Sequence, residues 1–209
     1  MKRKSQNVKK LKDFVTQDKK ISEIYLKLKS ILKKYNQKSY VVAVSGGPDS
    51  MTLAFLSSLL DKSKKYRFHF VLIDHGIRNN SSKEALTVKN LLKKKGINLK
   101  IIKNNKKIIK NIQKNARDLR YNLLIKYCKK NQTKSILTAH HKDDQVETFL
   151  IRLSRGSGVE GLSSMSESTN LKNGISLVRP FLNFKKKQLQ YISKKVFNKT
   201  IKDPSNKNK

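Results

Sequence analysis

Tyr40-Val41-Val42-Ala43-Val44-Ser45-Gly46-Gly47-Pro48-Asp49-Ser50 joins a continuous apolar run to a glycine pair. The run reads as a strand buried on both faces, and 51–60 behind it as a helix. A strand–Gly-Gly–helix junction has a chemical use. The glycines let the backbone approach a ligand closely. Free N–H groups at the helix start, with the positive end of the dipole, make an anion site. Ser45 and Ser50 add hydroxyls, and Asp49 can hold Mg²⁺. No Gly-Lys-Ser/Thr follows, so this is not a Walker A loop. The same residues would also serve a plain turn, with Asp49 or Ser50 as helix cap.

Outward from this stretch, strand and helix patterns alternate. Strands are predicted over 68–73, 97–102, 135–139 and, short and last, 176–178. Helices are predicted over 83–95 (ended by Gly96), 111–130, 143–153 and 185–196. Apolar strands alternating with helices imply an α/β fold: a doubly wound, mostly parallel, Rossmann-like sheet with helices on both faces. Ligands of such sheets sit at the carboxyl ends of the strands. Upstream, Phe14, Ile21, Ile24, Leu28, Ile31, Leu32 and Tyr35 recur at helical spacing, predicting a helix over 18–35. Residues 1–37 therefore read as a basic, helical N-terminal extension, and 38–209 as the main domain.

The 209 residues carry 49 Lys+Arg against 14 Asp+Glu, a net charge of +35. That length suits one α/β domain with a buried sheet. The single cysteine, Cys128, excludes a disulfide framework and any CxxC metal or redox site. No apolar run approaches the ~20 residues that span a bilayer, so no membrane partner is expected. The charge points to a polyanion and to salt-sensitive affinity for nucleic acid. The basic residues are 41 Lys and 8 Arg, however, and Lys fills every surface-like stretch along with Asn and Ile. That is a composition bias laid over an ordinary fold. Where Lys is the default, the few Arg mark places that need a planar fork. Six of them (Arg78, Arg117, Arg120, Arg152, Arg155, Arg179) and five of the acids (Asp49, Asp74, Asp143, Asp144, Glu147) fall in or beside the motifs described next. Met1-Lys2-Arg3-Lys4 precedes no apolar segment, so no signal peptide is read. Asp13, Asp18 and Glu23 with little Arg argue against an organellar transit peptide.

Ile73-Asp74-His75-Gly76-Ile77-Arg78 closes the second strand, and Ser81 or Ser82 would cap the next helix. Within Asn115-Ala116-Arg117-Asp118-Leu119-Arg120-Tyr121, the residues Arg117, Arg120 and Tyr121 share a helical face. That face could grip phosphates bidentately, or be a solvated face on which Asp118 pairs with bases. Thr138-Ala139-His140-His141-Lys142-Asp143-Asp144-Gln145-Val146-Glu147-Thr148 concentrates acids in an acid-poor chain. Asp144 and Glu147 share a face, with His140 just ahead. The plain alternative is Asp144 as N-cap with Glu147 as its capping-box partner. That accounts for the acids but not for the paired histidines. A metal site is a further alternative. Three of the eight glycines lie in the stretch 155–161, which could be a helix C-cap.

These blocks together resemble the tRNA(Ile)-lysidine synthetases, N-type ATP pyrophosphatases of the PP-loop superfamily. Ser45–Ser50 is similar to their pyrophosphate loop, 74–85 to "DHGLR…S..EA", and 116–121 to "ARxxRY". Residues 140–148 resemble "HHxDDQxET", 152–162 "R.RGSG..GL", Arg179-Pro180-Phe181-Leu182 "RPLL", and Asp203-Pro204-Ser205-Asn206 "DPSN". The resemblance spans about 39–206. It implies the adenine nucleotide alpha hydrolase-like fold, with a PP-loop catalytic domain over 38–209.

It also implies a reaction. ATP, with Mg²⁺, adenylylates the wobble cytidine (position 34) of the CAU-anticodon isoleucine tRNA. Free lysine then attacks C2, giving lysidine and changing codon specificity from AUG to AUA. Carried over residue by residue, Ser45, Gly46, Gly47, Pro48, Asp49, Ser50, Asp74 and Arg117 would bind ATP. Asp49 and Asp143 would hold the metal. Asp144 and Glu147 would bind the lysine ammonium, and Asp49, His140 and Asp144 would serve catalysis. Arg155, Gly156, Ser157 and Gly158 would wall the base pocket. Family members are often homodimers, and they usually continue past "DPSN" into further tRNA-gripping domains. This chain ends at Lys209, as a short form would. High Lys, Ile and Asn point to a plastid stroma if the gene is organelle-encoded, and otherwise to a bacterial cytoplasm. Competing readings are a tRNA thiolase, which shares the loop, an amidotransferase-linked synthetase, and a degenerate RNA-binding module that kept the fold.

Overall fold

The computed structural model describes residues 13–61, 65–77, 79–104, 111–158 and 161–198. At its centre is strand β1 (Ser39–Val44), flanked by β2 (Arg67–Asp74) and β4 (Ser135–Leu137). Strand β3 (Leu99–Lys103) pairs with β2, and β6 (Ser176–Val178) with β4, all parallel. Strand β5 (Ser168–Asn170) adds antiparallel to β6 and completes the order β3-β2-β1-β4-β6-β5. The expected doubly wound, mostly parallel sheet is thus formed. Its strand order reverses between β1 and β4, and the crevice at such a switch point is where α/β sheets bind ligands.

The two-residue period of the strands divides the core. Tyr40, Val42 and Val44, with Phe68, Phe70 and Leu72, face one layer of helices. That layer holds α1 (Lys19–Tyr35), α2 (Pro48–Asp61), α3 (Ser81–Lys93) and α6 (Lys186–Phe197). Val41, Val71, Ile73, Ile136 and Leu177 face α4 (Ile112–Lys130), through Leu124, Ile125 and Cys128. Helix α2 is sandwiched between the sheet and other helices and buries twelve of its fourteen residues. That is why, between its terminal aspartates, only small Ser and Thr residues interrupt its apolar sequence.

The N-terminal helix belongs to this same core. Ile21, Ile24, Leu28, Ile31 and Leu32 are buried with the residues of α2 and α6. Asp18 caps it, accepting the N–H groups of Lys20 and Ile21. The Asp18 carboxylate also accepts from Tyr191 Oη (2.7 Å) and Lys195 Nζ (2.6 Å), pinning α1 to α6. These contacts hold the Asp18 carboxyl at about 2, below its ordinary value.

Strand β5 was not predicted. Ser168-Thr169-Asn170 has no apolar alternation, and its pairing is set by the turn beyond it, where Asn173 and Gly174 take φ of +66°. Helix α5 (Lys142–Ser154) stands apart from the others because it buries no residue. Val146, Phe149, Leu150, Ile151 and Leu153 on it are exposed. Among the described residues no helix is long and apolar enough to cross a membrane.

Candidate active site

A cleft of about 560 Å³ opens at the carboxyl ends of β1, β2 and β4. Its floor is the turn between β1 and α2. The Ser50 hydroxyl organises this turn by accepting the N–H groups of Ser45 (3.1 Å) and Gly46 (3.2 Å), and it donates to the Gly47 carbonyl (2.9 Å). A single side-chain oxygen thus satisfies two backbone donors and ties the turn to the first turn of α2. Gly46 is required there twice over. Its φ is +91°, and a Cβ would meet Val88 Cγ2 at 2.8 Å, because α3 packs against the turn. Pro48 starts α2, where its missing N–H costs nothing, and it does not line the cleft.

Asp49 lies in the first turn of α2. Its Oδ1 is buried and has no hydrogen-bond partner, and its Oδ2 faces His141 Nε2 at 3.6 Å, within ion-pair range but too long for a hydrogen bond. An unpartnered hard oxygen beside an anion site fits a divalent cation that completes its shell with phosphate oxygens. Among the described residues, no three His, Cys, Asp or Glu side chains converge on one metal position. Asp143 does not join Asp49. Its Oδ1 accepts the Lys186 N–H (3.1 Å) at the start of α6, and it is not part of the cleft wall.

Asp74 ends β2 on the cleft wall, almost fully buried. Its carboxylate accepts from Ser82 Oγ (2.6 Å) and the Gly76 N–H (3.1 Å), so it shapes the turn into α3. Burial alone would raise its pKa. The Ser82, Ser81 and Gly76 donors, with the Lys103 charge, outweigh that and lower it. His75 beside it receives Arg120 Nε at 3.3 Å, while its own Nδ1 is buried and unpartnered. Arg117 lines the opposite wall with its guanidinium over the Tyr121 ring (5.3 Å), so the i, i+4 face read from sequence does look into the cleft.

The β4–α5 turn closes the site. His140 Nδ1 lies 2.9 Å from Thr138 Oγ1. Burial, followed by the charges of Arg179, Arg117, His141 and Arg120, pulls the His140 pKa down to about 4. This imidazole is neutral near pH 7. His141 is the N-cap of α5. Its Nδ1 accepts the Asp144 N–H (3.3 Å), and Asp144 Oδ2 returns by accepting the His141 N–H (2.8 Å). The capping box is therefore His141 with Asp144, not Asp144 with Glu147, which explains why the histidine is doubled. Burial lowers the His141 pKa. The facing Asp49 carboxylate and the charges of Asp144 and Asp143 more than offset it, so the net shift is upward. Asp144 is shifted up, first by burial and then by the charges of Asp49 and Glu147, against the His141 N–H.

Ser45, Gly46, Gly47, Asp49, Ser50, Asp74, Arg117, His140 and Asp144 thus come together on one cleft. Glu147, Arg155, Gly156, Ser157 and Gly158 do not line it. Glu147 is one turn beyond Asp144, near enough for its charge to act there. Gly156, at φ +67°, follows the Arg155 C-cap and ends α5, with the N–H groups of Gly156 and Ser157 returning to Leu153 and Arg152. Beyond it the chain is stitched back to the site. Gln145 exchanges two hydrogen bonds with the Met165 backbone (2.9 and 2.7 Å), and Arg152 donates to the Ser163 carbonyl. Buried Arg179 donates to the Ser166 carbonyl and Thr169 Oγ1, both at 2.8 Å. His141, Gln145 and Arg179 were missed as site-building residues. The His-x-x-Asp spacing at a helix start was the one signal that could have exposed the first. Arg78, Val159, Glu160 and the Asp203–Asn206 motif lie outside the described residues.

A glycine turn at the switch point of a doubly wound sheet, with a carboxylate at its helix start, defines an α/β domain of the kind that takes its ligand at the strand ends. The sequence profile of the PP-loop domain matches residues 20–209. The chain belongs to the PP-loop family. It is 47% identical over 175 residues to the tRNA(Ile)-lysidine synthase of Wolbachia pipientis wMel, and 41% identical over 175 residues to that of Wolbachia sp. subsp. Brugia malayi. Each alignment takes in 82% of this chain and 40% of the relative, so the chain spans about two fifths of the length of the curated relatives it matches. Both relatives are bacterial, and neither supports the plastid expectation. Among solved structures, the U34-tRNA thiolase NcsA of Methanococcus maripaludis, with its [4Fe-4S] cluster, superposes with a TM-score of 0.72 over 88% of this chain and 67% of that one. At 16% identity it shares the fold.

Proposed function

We propose that this chain carries the catalytic domain of a tRNA(Ile)-lysidine synthetase: an ATP-dependent ligase joining lysine to C2 of cytidine 34 in the CAU-anticodon isoleucine tRNA. The observation that carries the reading is the meeting, in one cleft, of an anion-binding turn with a neutral His140 and a carboxylate, Asp144. The kinship with named synthases supplies the substrates.

The cytosine O2 attacks the α-phosphorus of ATP, and pyrophosphate leaves. The positive end of α2, and Arg117, would stabilise the departing charge. Mg²⁺, when held by the unpartnered oxygen of Asp49, would add further neutralisation there. Lysine then attacks C2 and AMP departs. Asp144, one of whose oxygens is committed to the helix cap, offers the other to the ammonium, with Glu147 behind it. The amine must shed a proton before attack. Neutral His140 is placed to accept it, and bound phosphates would offset the arginines that weaken it as a base. The net charge of +35 suits a tRNA partner. A homodimer and a bacterial cytoplasmic setting complete the proposal. A cluster-dependent thiolase fits less well. Cys128 is fully buried on α4 against the sheet, and burial pushes its thiol up to about 12, so it offers no cluster ligand.

The test is transfer of radiolabelled lysine to a transcript of the isoleucine tRNA with anticodon CAU, with and without ATP. A methionine tRNA of the same anticodon is the control. ATP-dependent label on the isoleucine tRNA is expected. Label on neither would sink the assignment for this chain. Label on both would mean that selectivity lies outside it.

A further inference from the structure

Asp49 and Asp144 reach the cleft from different elements. One stands on α2 behind β1, the other on α5 behind β4. A single side chain touches both. We propose that His141 is a positioning residue that couples the nucleotide end of the cleft to the amine end, orienting the Asp49 carboxylate across the 3.6 Å gap from Nε2 and holding the start of α5, hence Asp144, with Nδ1.

Three observations lead there. The ring is buried, only 4% exposed, between two carboxylates. Its near nitrogen does all the capping, accepting the Asp144 N–H while Asp144 Oδ2 accepts the His141 N–H. Its far nitrogen plays no part in the cap and faces Asp49 Oδ2 at 3.6 Å. A cap alone needs only a short acceptor, for which Asn, Asp, Ser or Thr serve best. Histidine at an N-cap gives up that preference, and what it gains is reach. Its backbone is fixed from the other side, since the next residue's N–H donates to the Phe184 carbonyl at 2.8 Å. The ring therefore has little room to choose another partner. Any shift of Asp49 on taking up phosphate and cation is passed through one rigid ring to the first turn of α5.

The inference rests on the functional reading above, and two variants separate its parts. His141→Asn keeps a capping acceptor but is too short for Asp49. His141→Ala keeps neither. With folding checked by circular dichroism, His141→Ala should lose both ATP-dependent pyrophosphate release and lysine affinity. His141→Asn should recover lysine KM to near wild type while pyrophosphate release stays about ten- to hundredfold down, the usual cost of removing the partner of a cation-binding carboxylate. Recovery of both by Asn would reduce His141 to a plain cap and overturn the proposal. Recovery of neither, in a folded protein, would overturn it equally. If the wild-type chain turns over no lysine, the functional reading fails separately. Calorimetry with ATP plus Mg²⁺ then decides, and equal affinity of wild type and His141→Asn overturns the coupling.

Discussion

Helices α2 and α5 both leave a parallel strand at the cleft, and both carry a carboxylate in the first turn. Yet α2 buries twelve of its fourteen residues and α5 none. Under the proposed function, the nucleotide end of the site would be built on the most buried helix, and the amine end on a helix held by its cap, by Gln145 and by Arg152. An anion site needs donors fixed before the ligand arrives. A surface that must admit a base from a macromolecule needs access, and core packing would deny it. The proposed reaction would therefore draw on opposite kinds of support.

The comparison is easiest to break through stability. Leu56 is fully buried in α2, so Leu56→Ala should cost about 2–5 kcal/mol of unfolding free energy. A loss below 1 kcal/mol in urea titration would mean that α2 is not the keystone. Asp49→Asn should leave the fold intact and cut ATP turnover by roughly 10²-fold. RNA affinity, read by filter binding, should not change, since a mere RNA binder would not need this carboxylate. Removing the paired amide bonds with Gln145→Ala should cost only about 1–2 kcal/mol, and limited proteolysis near Met165 should rise. Leu150→Ser, on the exposed side of α5, should shift stability by no more than about 0.5 kcal/mol.

A pH series sharpens the same contrast. His140 is held at about 4, below its ordinary value of 6.5, so in that window only the unfolded chain takes up the proton. Its contribution to stability is present above 6.5 and is lost as pH falls towards 4. His140→Asn should flatten the fall between pH 7 and 4.5 in urea titrations. An equal slope in wild type and variant would show that the ring is not held neutral by its surroundings.

Much of this was legible in the sequence, for reasons particular to each element. The apolar runs of β1 and β2 and the uniform hydrophobicity of α2 left little choice but a parallel sheet covered on both faces. Gly46 announced its turn because no other residue suits a φ of +91° with Val88 so close. What escaped were contacts between distant elements. Strand β5 exists through its pairing with β6, which no local pattern records. Asp143 reads as a metal ligand beside Asp49, yet it turns to cap α6, forty-three residues on. The second histidine looked like chemistry, but its first task is to cap α5. Of the Arg and acids singled out, Asp49, Asp74, Arg117, Arg120 and Asp144 line the cleft, and spacing alone could not say which would.

The proposed division of labour between the two helices is tested most directly at Asp144, the carboxylate that α5 brings to the cleft. In Asp144→Asn the lysine KM and the affinity for ATP with Mg²⁺ would be measured side by side. The expected result is a lysine KM raised about tenfold or more, with ATP affinity unchanged. Unchanged lysine dependence, or an equal loss at both ends, would contradict it.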